Sequence, residues 1–180
     1  AVARAGNVIG GGDWAENRVV PDLIKAWAAK QTLSIRNPYA TRPWQHVLEP
    51  LGGYLLLASK LKLDSELSNE SFNFGPQANQ NKTVEELVIN FSHYWQGGKW
   101  ISEIKKPRSS FHEAGLLKLN IDKAKAYLDW EPVLDFNQTI KLTSEWYELF
   151  YRNTQGDVLE TSSLQIEEYL RIKKAKNIQW

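Results

Sequence analysis

The 180 residues contain no cysteine, no methionine and only three histidines. Without thiols there can be no disulfide, no thiol nucleophile and no Cys-based zinc site, a composition that fits a reducing compartment. Three histidines, none in an H-E-x-x-H spacing, are too few for a His-rich metal cluster. An excess of charge is also missing: 22 Lys plus Arg stand against 21 Asp plus Glu, a net of +1. That excludes nucleic-acid or membrane binding by bulk electrostatics and leaves room only for a local basic patch. No run approaches the roughly 18 apolar residues of a membrane span. The longest, Tyr54 to Ala58, falls far short. The opening Ala1-Val2-Ala3 has neither the basic start nor the sustained apolar stretch of a secretory signal. With no initiator methionine and a start inside an apolar run, the sequence reads either as a processed or trimmed protein or as a piece of a longer chain.

What is present is the mixture of a globular domain, 42% hydrophobic and 24% charged. Residues 2 to 9 read as a strand closed by Gly10, Gly11 and Gly12. Val20, Leu23, Ile24, Trp27 and Ala28 follow the i, i+3, i+4, i+7, i+8 face of a helix that tolerates Pro21 in its first turn. Leu33 to Ile35 is a short strand. Val47, Leu48, Leu51, Leu55 and Ala58 make a second helical face, beside a Gly52-Gly53 pair that calls for close packing. Ser71 to Phe74 is a strand stopped by Gly75-Pro76, and Thr83 with Glu86 is a capping box ahead of Val84, Leu87, Val88, Phe91 and Trp95. Lys99 to Ile104 and Gly115 to Leu119 are further strands. Asp122 to Leu128 is a short helix, Asp135 caps a longer one bearing Phe136, Ile140, Trp146 and Phe150, and a polar helix is expected from about Ser163 to Lys176, with a fraying end. Strands alternating with helices predict an α/β fold. The strands are few and short, which makes a thin sheet for this length.

Three constellations could carry chemistry. Arg4, Asn7, Gly10-Gly11-Gly12-Asp13-Trp14 and Arg18 lie on a strand, a loop and the start of a helix. Free backbone N–H groups and the helix dipole there suit an anion, Arg18 adds a bidentate donor, and Asn7 adds a neutral hydrogen bond. The same three glycines also serve as a plain flexible turn, their commoner use. The loop from Arg36 through Asn37-Pro38-Tyr39-Ala40-Thr41 to Arg42-Pro43-Trp44-Gln45-His46 joins two arginines to aromatics, an amide and an imidazole. That set suits a phosphate beside a base or sugar face, or else a solvated turn with Trp44 tucked into the core. Arg108-Ser109-Ser110-Phe111-His112-Glu113 offers a ligand contact or a surface loop, because adjacent residues on a strand point to opposite faces. His93 reads as a packed, hydrogen-bonded residue, and Glu167, Glu168, Arg171, Lys173 and Lys174 as a solvated helix face. The chain is read as having no Tyr-x-x-x-Lys, no G-x-S-x-G and no paired-carboxylate arrangement with supporting signals. Composition and spacing stop at an α/β domain with an anion-binding surface.

The segments Arg4-Ala5-Gly6-Asn7-Val8-Ile9-Gly10-Gly11-Gly12-Asp13-Trp14 and Arg42-Pro43-Trp44-Gln45-His46-Val47-Leu48-Glu49-Pro50-Leu51 closely resemble the CDP-glucose 4,6-dehydratases, nucleotide-sugar enzymes of the extended short-chain dehydrogenase/reductase superfamily. Further matches follow in order: Phe72-Asn73-Phe74-Gly75-Pro76, His112-Glu113-Ala114, Leu117-Lys118-Leu119, Asp122-Lys123-Ala124-Lys125 and Leu128-Asp129-Trp130-Glu131-Pro132. The last is similar to the superfamily's L-G-W-x-P, with Asp129 in place of the usual glycine.

The resemblance implies the C-terminal part of an extended short-chain dehydrogenase/reductase: the last Rossmann elements plus a small substrate-binding lobe over residues 1–152, and a polar helical extension over residues 153–180. In such enzymes the dinucleotide glycine motif and the catalytic Thr, acidic residue, Tyr and Lys precede the strand that opens this chain. NAD is therefore expected to be held mainly by an N-terminal half, and this chain to lack the catalytic Tyr-x-x-x-Lys and to be inactive alone. The family's reaction takes a hydride from C4 of glucose to NAD, eliminates water across C5 and C6, and returns the hydride to C6. Carried over by position, Asn7 would hydrogen-bond the sugar pyrophosphate, Arg18 would lie near the phosphates, and Ser34, Ile35 and Arg36 would meet cytosine. Arg42 would pair with the pyrophosphate, and His112 and Glu113 would contact the nucleotide. The implied partner is a small nucleotide sugar, with no nucleic acid and no membrane, in a cytoplasmic homodimer serving deoxysugar and O-antigen synthesis. A stand-alone nucleotide-sugar-binding module, and an epimerase or dehydratase for another base, are the alternatives.

Overall fold

A computed structural model of the chain describes residues 1–103, 117–152 and 157–180. Among these described residues the strands form four pairs. β1 (Val2–Ala5) runs parallel to β6 (Ser71–Phe74), β2 (Asn7–Ile9) to β5 (Trp44–His46), and β3 (Thr32–Ile35) to β8 (Lys99–Ser102). β4 (Thr41–Arg42) and β7 (Lys82–Thr83) make a short antiparallel pair. Between and after the strands lie α1 (Val19–Ala28), α2 (Leu48–Leu63), α3 (Val84–Tyr94), α4 (Asp122–Leu128), α5 (Phe136–Tyr151) and α6 (Val158–Ala175). Parallel pairs need crossover connections, and helices supply them, so the predicted α/β organisation is what the chain adopts.

The expected strand over residues 2 to 9 is two strands, because the hydrogen-bonding partner changes at Gly6. The Gly6 amide donates to Phe74 O on one side (3.1 Å) and the Asn7 amide to Pro43 O on the other (3.1 Å). A Cβ at Gly6 would lie 2.8 Å from that Pro43 oxygen, so only glycine lets the chain pass from one partner to the next. Thr83 and Glu86 form the capping box of α3, and Asp135 with Gln138 that of α5. Both helices begin where the sequence placed them.

One helix buries a different face from the one expected. On α2, Leu51 and Leu55 are exposed, while Glu49, Pro50, Gly53 and Leu57 turn inward. Apolar residues surround this helix, so spacing alone does not choose a side. The glycine pair chooses it, since the Phe74 ring lies where a Gly53 side chain would stand and Trp180 lies against Gly52. On α5, Phe150 is 46% exposed, and the buried row is Phe136, Ile140, Thr143 and Tyr147.

Ile9, Leu23, Ile24, Trp27, Leu87, Phe91, Ile140 and Tyr147 share one core between α1, α3 and α5. Phe72, Phe74, Leu57, Leu128 and Trp130 share a second, where Phe74 meets Trp130 edge-on at 5.0 Å. Each such buried side chain contributes about 1.5–3 kcal/mol. A third, around Val133, Leu134, Leu142, Tyr169 and Ile172, fixes α6. That helix starts at Val158 on an Asp157 cap, earlier than the polar pattern indicated.

The last residues do not fray. Trp180 donates its indole N–H to Glu131 O (2.8 Å) and lies under the Lys173 ammonium. Residues 117–119 are not a strand, and Ile104, Gly115 and Leu116 lie outside the described residues. His93 is exposed.

Candidate functional site

β2, β3 and the loop before β5 end around one cleft of about 740 Å³, whose lining includes Asn7, Arg18, Ser34, Ile35, Arg36 and Arg42. Six of the eight residues singled out from the sequence are thus brought together. His112 and Glu113 lie outside the described residues.

The positions follow from local structure. Asn7 opens β2 directly opposite Trp44 of β5, beside Pro43, whose carbonyl takes the Asn7 amide. Arg42 belongs to β4 and donates Nη1 to Thr41 O (2.9 Å). β3 runs towards the cleft with Ile35 buried at its end and Ser34 and Arg36 exposed on either side. Ser34 donates its hydroxyl to the Glu103 carboxylate. Arg18 precedes α1 and is 64% exposed at its side chain, with Nη1 donated to Asp13 Oδ2 at 3.1 Å. Trp44 is at once core and wall: it is buried, its indole N–H donates to Lys82 O (3.0 Å), and it lines the cleft. Three guanidinium groups therefore meet an apolar indole and a short strand in a half-open space. Such a set can bind a diphosphate by charge-assisted, bidentate hydrogen bonds while a flat ring lies against β3.

The three glycines after β2 do not form an open cradle. The Trp146 ring occupies the space a Gly11 side chain would fill, and Gly12 sits at φ +79. That face of the loop is packed protein rather than free N–H groups aimed at a ligand. Among the described residues, no group of three or more His, Asp or Glu could hold a metal ion. Nor is any helix there long and apolar enough to cross a membrane.

Two buried polar groups stand outside the cleft lining: His46, which the sequence placed in a polar loop, and Glu49, which it did not single out. His46 is 1% exposed, with Nδ1 accepting from the Leu48 amide (3.4 Å) and Nε2 without a partner, and burial lowers its pKa to about 4. Glu49 is equally buried and accepts from the amides of Val133 (2.9 Å) and Leu134 (2.5 Å) and from the Tyr169 hydroxyl (3.1 Å). Desolvation outweighs these donors and pushes the Glu49 carboxyl up to about 7. Its signal was a carboxylate between Leu48 and Pro50, in a stretch otherwise expected to be core. A Tyr-x-x-x-Lys spacing, read from the sequence as absent, does occur at Tyr169 and Lys173. Neither residue lines the cleft: Tyr169 is held by Glu49, and Lys173 lies over Trp180.

No family model matches the chain. It is 40% identical over 170 residues to a CDP-glucose 4,6-dehydratase of Salmonella typhimurium strain LT2, an alignment covering 94% of this chain and 46% of that protein. Its fold is similar to that of a UDP-glucuronic acid 4-epimerase from Bacillus cereus in complex with UDP-glucuronic acid and NAD (TM-score 0.69, 15% identity, 84% of this chain and 46% of the other). It is also similar to a dTDP-glucose 4,6-dehydratase from Bacillus anthracis in complex with NAD (TM-score 0.61, 22% identity, 86% and 45%). The chain spans about half the length of each of these relatives.

Proposed function

We propose that the chain is a C-terminal portion of an extended short-chain dehydrogenase/reductase enzyme and that its cleft binds a nucleotide sugar, CDP-glucose, for a 4,6-dehydratase. The observation that carries this reading is the meeting of Asn7, Arg18 and Arg42 with the end of β3 around one cleft. Two phosphates need donors that stay charged, and Arg18 and Arg42 supply them, with Asn7 as a neutral donor. Ser34, Ile35 and Arg36 are proposed to meet the base, and His112 and Glu113 to complete the nucleotide contacts. Residues 1–152 then act as the substrate-binding part and 153–180 as a helical extension.

NAD is proposed as the cofactor of the full-length enzyme. The glycine loop here is closed by Trp146, so the residues described do not fit a dinucleotide, which belongs to another part of the enzyme. The reading therefore expects 180 residues that bind substrate without turning it over. The full enzyme is proposed to work as a cytoplasmic homodimer.

The test is calorimetric titration of the protein with CDP, CMP, UDP, GDP and dTDP at fixed salt. CDP is expected to bind at least about tenfold tighter than CMP, since the second phosphate adds a charge-assisted contact of about 1.5–3 kcal/mol. Equal affinity for CDP and CMP would refute the pyrophosphate assignment. A preference for UDP or dTDP would move the protein to a relative acting on another base, a class that the relatives named above include.

A further inference from the structure

Resting on that reading of the cleft, we propose that Tyr147 is a positioning residue for the phosphate-binding arginine. It fixes the loop after β2 so that Asp13 holds Arg18 ready at the cleft. Tyr147 stands on α5, is fully buried and does not line the cleft. Its hydroxyl nevertheless makes both of its hydrogen bonds to a single residue of the cleft wall. It donates to Asp13 O (2.7 Å) and accepts from Asp13 N–H (3.1 Å). Two bonds to one residue set the direction of the peptide groups on either side of it, and so the direction of its side chain.

The Asp13 side chain passes the constraint on. Oδ1 accepts from the Ala15 amide (3.0 Å), and Oδ2 accepts from Arg18 Nη1 (3.1 Å). Rings hold the same loop from the other direction. Trp14 packs edge-on against Tyr147 at 5.4 Å, and Trp146 closes over Gly11.

An arginine that is largely exposed loses rotamer freedom when it grips a ligand, and holding it beforehand reduces that loss. One guanidinium nitrogen is engaged with Asp13, and a guanidinium carries further donors for an anion. A conserving view of Asp13, as a carboxylate that merely competes with phosphate for Arg18, predicts the opposite sign of effect.

The experiment is a double-mutant cycle read by CDP titration, with wild type, Y147F, R18Q and the double variant, and with each melting temperature recorded. Y147F keeps the ring and removes only the hydroxyl. It is expected to weaken CDP binding about 3- to 10-fold in the wild-type background and to have almost no effect in the R18Q background. A wild-type protein that does not bind CDP would sink the function proposed above rather than this one. With wild-type binding present, unchanged affinity in Y147F, or the same loss with and without Arg18, overturns the positioning role and leaves a structural tyrosine. If Y147F melts too low to assay, D13N tests the same chain from its other end. Weaker CDP binding that depends on Arg18 supports the proposal, and tighter or unchanged binding refutes it.

Discussion

Replacing Glu49 by glutamine should uncover a pH dependence of stability that the wild-type protein hides. Two buried groups act in opposite directions. Burial lowers the pKa of His46 from 6.5 to about 4, so between those values the unfolded chain binds a proton that the folded chain refuses. Stability is then lost as pH falls. Burial raises the pKa of Glu49 from 4.5 to about 7, so between those values the folded chain binds the extra proton, and stability is gained as pH falls. Between pH 4.5 and 6.5 the two slopes, each about 1.4 kcal/mol per pH unit, nearly cancel.

Glutamine keeps an acceptor for the Val133 and Leu134 amides and can donate to Tyr169, so its shape fits. It has no proton to exchange, which leaves the His46 slope alone. Glu49→Gln should therefore lose about 3 kcal/mol relative to wild type when pH drops from 6.5 to 4.5. His46→Asn should show the mirror image and gain as pH falls. Urea unfolding at pH 6.5, 5.5 and 4.5, followed by the fluorescence of the eight tryptophans, reads this directly. Carboxylates held low by their partners, such as Glu86, act alike in all three proteins. Parallel pH profiles for wild type and Glu49→Gln would refute the argument.

Two further outcomes follow from backbone and packing. Asp129 ends α4 in the left-handed conformation at φ 57, with only an exposed ion pair to Lys60 as compensation. Asp129→Gly should raise stability by about 0.5–1 kcal/mol, seen as a melting temperature about 2 °C higher. Gly53→Ala should do the reverse, because the new methyl group meets the fully buried Phe74 ring. A loss of about 2–3 kcal/mol in the urea midpoint is expected, and a loss under 0.5 kcal/mol would mean that α2 shifts freely.

Much of the fold and the cleft could be read from the chain alone, for identifiable reasons. Capping boxes at Thr83 and Asp135 are local chemistry, and they placed α3 and α5. Asn7, Arg18, Arg36 and Arg42 sit in stretches whose residue types suggest binding, Ser34 and Ile35 came from the resemblance alone, and the structure gathers all six around one space. What stayed hidden depends on contacts between distant segments. The break at Gly6 exists because Phe74 and Pro43 lie on opposite sides of it. The buried face of α2 was decided by Phe74 and Trp180, not by its own pattern. Tyr147 was not singled out from the sequence, and the role proposed for it arises only where the loop at Asp13 comes to meet it, 134 residues away in sequence. Tyr169 and Lys173 make the complementary point, since a spacing that elsewhere means catalysis here ties α6 to Glu49 and Trp180.

The pairing of strands also governs how the chain must assemble. Among the described residues no strand pairs with its neighbour in sequence: β1 waits for β6, β2 for β5, and β3 for β8. Sheet formation therefore cannot zip up from a hairpin, and each pairing closes a long loop before any hydrogen bond repays it. Helices, whose contacts are local, should form first and carry the strands together as their faces find one another. During synthesis, Val2–Ala5 leaves the ribosome with its partner Ser71–Phe74 still unmade. Until then its edge is open to any other extended chain, and that interval is when aggregation competes with folding.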